Sequence, residues 1–193
     1  IIRLTQERYD EAQTHFETML RIGQQMGNVK HQVIATVNLG EIERLQGRYE
    51  AARDYFYEGL VISEEQEFTQ QILVCEMNLG DVSVWLGDFD AAHEYLRRAL
   101  TSTQHMGAVG LTLYTLALVA RLYARTDQPN AALDLLGVVM GHPAADEETR
   151  GEAERVRDEL AAVGISDRAI ETGLARGAAL DLDALVTDWL REA

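Results

Sequence analysis

The chain has 193 residues, a formal charge of −15 and a single cysteine, Cys75. So acidic a balance argues against nucleic acid or an anionic membrane as the main partner, and one cysteine cannot close an internal disulfide, so nothing points to an oxidising compartment. No charged-then-apolar leader opens the chain, and no apolar run approaches the ~18 residues that a membrane helix needs, so a cytoplasmic protein with no membrane contact is expected. The charge is uneven: residues 1–60 carry −2, 61–100 carry −6, 101–140 none and 141–193 carry −7.

In chain order, Tyr9, Ala12, Phe16, Met19 and Leu20 make an apolar stripe at helical spacing, which predicts a first helix over 5–26. Gly27-Asn28 is a turn signal. Two antiparallel pairs are predicted next: helices near 30–46 and 49–66 meeting at Gly47, then near 69–86 and 89–106 meeting at Gly87-Asp88. A third pair, near 109–126 and 129–140, is joined by Asp127-Gln128-Pro129, with the proline suited to a first helical turn. Its first helix carries the most apolar segment of the chain, Val109 to Leu122, and should be buried on most sides. Gly141-His142-Pro143 stops this run.

From Ala144 the composition shifts. Asp146-Glu147-Glu148 suits a helix N-terminus, and Ala153, Val156, Leu160 and Val163 stripe an otherwise charged helix over 146–162. Ser166 can cap a short helix near 167–176, ended by Gly177, and Leu182 to Leu190 form a last amphipathic helix. The expected division is a repeat array over 1–142 and a helical cap over 143–193.

The central stretch repeats itself at a step of forty without a gap. Asn38-Leu39-Gly40 returns as Asn78-Leu79-Gly80, Gly47 as Gly87, Ala51-Ala52 as Ala91-Ala92, and Tyr55 as Tyr95. The next step meets Ala120, Asp127 and Ala131-Ala132; the step backward meets Tyr9, Ala12 and His15. A fixed period of this size marks a solenoid, whose units bury their apolar faces by stacking on their neighbours. Gly40, Gly80 and Ala120 on the first helices, with Ala52, Ala92 and Ala132 on the second, would allow close approach, and Phe56 or Leu96 would fill the space between.

The pattern large–Leu–Gly, turn Gly, then small–aromatic–small resembles the tetratricopeptide repeat (TPR). Leu39, Gly40, Gly47, Ala52, Phe56 and Gly59 carry it in one copy, and Leu79, Gly80, Gly87, Ala92, Leu96 and Ala99 in the next. Val119, Ala120, Asp127, Ala132, Leu136 and Val139 make a weaker third. The family's common period is about 34 residues, so this chain adds most of two helical turns to each unit. The resemblance implies an all-α, TPR-like α-solenoid of antiparallel pairs in a right-handed superhelix, with a half repeat at 5–26, repeats at 30–66, 69–106 and 109–141, and C-terminal capping helices. Longer units of this kind are familiar from the C-terminal sensor regions of bacterial signalling ATPases and transcriptional regulators. By register the first helix is the second half of a repeat, and the chain opens on Ile1, so a fragment of a longer protein is expected.

Signals for chemistry are few. No phosphate-binding glycine loop occurs, and His15, His31, His93, His105 and His142 include no pair at three or four residues' spacing, so neither a metal nor a cofactor is expected. His15 reads as a half-buried packing residue, and Cys75 as a small core residue. There is no case for an enzyme. The expected role is a non-catalytic scaffold that binds a peptide or protein, with self-association through exposed solenoid ends as the alternative.

The resemblance places the binding groove on the first helix of each pair. Asn38 and Asn78 occupy the same place in successive copies, Glu41 and Asp81 follow one turn on, and Trp85 lies one turn further. The third copy carries Arg121 at the place of Glu41 and Asp81, then Arg125. Amides suit a peptide backbone, which both donates and accepts, and arginine forks onto carboxylates. The plainer alternative is that the asparagines only bridge neighbouring helices.

Overall fold

The computed structural model describes residues 2–192, with side chains over 8–191; Ile1, where the expectation of a fragment begins, lies outside them. Among the described residues 85% are helical, in ten helices, and there is no strand. The fold is all-α, a TPR-like solenoid of consecutive helix pairs. Contacts group the chain into two compact units, Ile1–Leu86 and Gly87–Ala193.

The first unit holds α1 (Ile2–Met26), α2 (Val29–Leu45), α3 (Tyr49–Glu65) and α4 (Thr69–Leu86). Each packs on the next, and α2 also lies beside α4. Asn28 caps α2 by accepting from the His31 N–H at 3.1 Å. The close approach expected at Gly40 is present: a Cβ there would stand 2.8 Å from the Phe56 ring. Ala52, Phe56 and Leu39 are buried around it. At the equivalent places on α1, Ala12, Phe16 and Met19 are only half-buried, and His15, expected to be half-buried, is exposed. The register fitted His15 to Tyr55, but among the described residues of this unit α1 packs only on α2, so its outer side meets solvent.

The second unit holds α5 (Phe89–Met106), α6 (Val109–Arg125), α7 (Pro129–Gly141), α8 (Glu147–Ala162), α9 (Asp167–Gly177) and α10 (Leu182–Glu192). Helix α6 packs between α5 and α7, and its run from Thr115 to Leu122 is wholly buried. The C-terminal helices distribute over this core: α8 lies on α6 and α7, α9 on α7, and α10 turns back onto α5. Trp189 of α10 sits against His93 of α5, ring centroids 4.9 Å apart. Helices α7 and α9 meet backbone to backbone. A Cβ at Gly137 would overlap the Leu174 carbonyl, one at Gly177 the Asp134 carbonyl, and one at Gly173 would stand 2.6 Å from the Leu133 Cβ. Arg176 clasps the contact from outside, its Nε 2.6 Å from Asp134 Oδ1.

Candidate interaction site

In the first unit, α2 and α4 carry five of the seven expected residues. Their mutual register is fixed by Arg44, whose guanidinium donates to Glu41 on its own helix at 2.6 and 2.8 Å and to Asp81 of α4 at 3.2 Å. The carboxylates of Glu41 and Asp81 thus meet at one guanidinium from adjoining helices, as the repeat register requires. Asp81 is buried, while Glu41 keeps about a third of its side chain in water. One turn earlier stand Asn38 and Asn78, both half-buried. Asn38 donates to its own helix at the Ile34 carbonyl, 2.7 Å, which leaves its side-chain oxygen as an acceptor. Asn78 makes no side-chain hydrogen bond among the described residues. One turn later Trp85 stacks on Tyr49 of α3, centroids 5.2 Å apart and planes within 7° of parallel. Tyr49 thus holds the indole in place.

In the second unit, Arg121 is buried and has its carboxylates from within the chain. It donates to Glu152 of α8, itself buried, and its Nε lies 3.3 Å from Glu159. Arg125, two-fifths exposed, reaches the other oxygen of Glu159 at 3.7 Å. Arg155 adds a second cation to Glu152. Burial alone pushes the Glu152 carboxyl up, but the guanidiniums of Arg121 and Arg155 outweigh it and hold it below its ordinary value. Glu152 and Glu159 are seven residues apart and share a face of α8, whose residue order alone predicts only a charged surface around an apolar stripe. Their spacing was visible, but only the position of α8 on α6 gives them partners.

Two family models, each described as tetratricopeptide repeat, match residues 1–65 and 75–106. The chain belongs to the tetratricopeptide repeat family. No curated protein matches it. As a TPR protein it is a scaffold for protein–protein interaction. Its αL turns fit the family pattern of short antiparallel connections, and no helix among the described residues is long and apolar enough to cross a membrane. Cys75 of this TPR chain is buried beside Gly59, and burial pushes its thiol up to about 12, so it is a packing residue. Among the described residues no cluster of metal-ligating side chains forms.

Proposed function

We propose that the α2/α4 face of the first unit holds an extended peptide segment of a partner protein. The observation that carries this reading is Asn78, a half-buried amide with no partner among the described residues, one turn from the Arg44-bridged pair of Glu41 and Asp81. An amide so placed can donate to and accept from one peptide unit, and the Asn38 oxygen on the neighbouring helix offers a second acceptor. Glu41 keeps about a third of its side chain in water, so its carboxylate favours a basic residue on the peptide. Trp85, steadied by Tyr49, supplies apolar area at the far end. The family's role as a scaffold supports a reading without catalysis.

The test is a displayed peptide library selected on the parent protein, followed by affinities of the best binder for variants. Asn78→Ala should weaken binding roughly five-fold or more with little change in melting temperature, since an unsatisfied hydrogen-bond partner costs about 1–3 kcal/mol when buried. Glu41→Gln should weaken it more at low salt than at high. Equal affinity for parent and both variants rejects the α2/α4 site. A role within a larger bacterial signal-transduction protein rests on the forty-residue period, and a nucleotide-binding loop encoded upstream would support it.

Half-burial of Ala12, Phe16 and Met19 favours self-association as a second reading, because the equivalent places on α3, α5 and α7 are fully buried. Sedimentation across a concentration series, with Phe16→Asp as the variant, measures it directly; a monomer at all concentrations removes it.

A further inference from the structure

A cavity of about 390 Å³ opens in the second unit, between the start of α6, the end of α7 and the segment that leads into α10. Its volume is in the range of pockets that take small ligands or single side chains. Val109, Val138 and Leu180 supply apolar lining; Val138 is nearly buried, whereas Val109 and Leu180 each keep about two-fifths of their surface in water. The polar lining has one sign. Asp181 and Asp183 both stand on it. Asp181 accepts from the Ala184 N–H at 2.9 Å through one oxygen, and Asp183 has neither hydrogen bond nor ion pair among the described residues. His142, also lining the cavity, accepts the Ala144 N–H at its Nδ1, 3.1 Å. The cation nearby, Arg150, is spent on the His142 carbonyl at 3.2 Å and pairs with neither aspartate.

Aliphatic walls beside two carboxylates without a cation match one kind of side chain, a hydrocarbon stem that ends in a positive group. We propose that this cavity is a docking site for an arginine or lysine of a partner protein, its stem against Val109 and Leu180 and its charge toward the exposed carboxylates of Asp181 and Asp183. This site is separate from the α2/α4 face and does not depend on it.

Three fluorescein-labelled peptides, identical except for a central arginine, citrulline or glutamate, test the proposal by anisotropy at low salt. Citrulline keeps the stem and shape but loses the charge. The arginine peptide should bind about tenfold more tightly than the citrulline peptide, and glutamate should abolish binding. Asp181→Asn with Asp183→Asn should remove the difference between arginine and citrulline, and the asparagine at 181 still caps α10. The control variant Glu58→Gln with Glu65→Gln changes net charge equally on exposed residues of α3. If it weakens the arginine peptide as much as the aspartate variant does, the attraction is to overall charge and the proposal falls. Equal affinity of the arginine and citrulline peptides overturns it too. Loss of binding in Asn78→Ala alone would place the peptide on the α2/α4 face, which overturns this site and leaves the other standing.

Discussion

At the scale of single residues, glycine has opposite meanings at different places in this chain. Gly177 is where the backbone of α9 touches that of α7, and a methyl group would collide with main-chain atoms of Asp134 that cannot rotate away. Gly40 faces a ring rather than a backbone, so a methyl there asks Phe56 to shift within a closed core. Gly151 faces only the far end of Arg155, 3.8 Å off. Gly177→Ala and Gly40→Ala should therefore each lower stability by about 1–3 kcal/mol through overpacking. Gly151→Ala should raise it by about 0.5–1 kcal/mol, because alanine loses less entropy in a helix interior. Denaturant melts of the three variants check this; a Gly177→Ala midpoint at or above the parent's would mean that α7 and α9 are not in backbone contact.

At the scale of elements, the device that sets the repeat is the turn. A residue with positive φ falls at 27, 47, 67, 87, 107 and 127, one every twenty residues, so each helix and its turn form an equal half-unit. Four of these are glycine, whereas Glu67 and Asp127 take φ of 57° and 59° with a side chain. Aspartate tolerates that region through local hydrogen bonding, but glutamate does so less readily. Glu67→Gly should accordingly stabilise the α3–α4 connection by roughly 0.5–1 kcal/mol, the strain relieved exceeding the entropy that glycine adds to the unfolded chain. A thermal melt with Glu67→Gly below the parent would show that the turn is held by contacts of the glutamate side chain. The turns also explain how two such different residue sets give equal helices: the punctuation is regular even where the third copy has lost its glycine.

At the scale of the whole molecule, acidity and stability are linked through one buried cluster. Glu152 has its carboxyl held below the ordinary 4.5, so the unfolded chain binds its proton more readily than the folded one. Its contribution is complete above that ordinary value and is lost as the pH falls below it toward the folded value. The pI near 4.6 places loss of net repulsion in the same region, so low protein concentration is needed to observe unfolding rather than precipitation. Arg121→Met alone leaves Glu152 buried with only Arg155 beside it and should cost about 3–5 kcal/mol at neutral pH. Arg121→Met with Glu152→Leu replaces the pair by apolar groups and should recover most of that loss while flattening the decline in stability below pH 4.5. Urea melts from pH 7 downward measure both; a double variant with the parent's acid dependence would place the sensitivity elsewhere in the chain.

The sequence by itself determined what repeats locally. Apolar stripes, helix starts such as Ser166 and Asp146, and the turn residues act within a few positions of themselves, so the helices, their period and the family were legible from residue order. Asn38, Glu41, Asn78 and Asp81 could be matched across copies for the same reason, since equal register on equal helices brings equal positions together. Tertiary structure alone decided which charges meet. Arg44 pairs with Asp81 on the neighbouring helix, and Arg121 spends its guanidinium on carboxylates 31 and 38 residues downstream. It also decided that Gly137, Gly173 and Gly177, the last of which ends α9 as expected, form the contact between α7 and α9, and that α10 returns to α5. These pairings break the repeat period, and a partner outside the period is chosen by the fit of surfaces that exist only once the helices are packed.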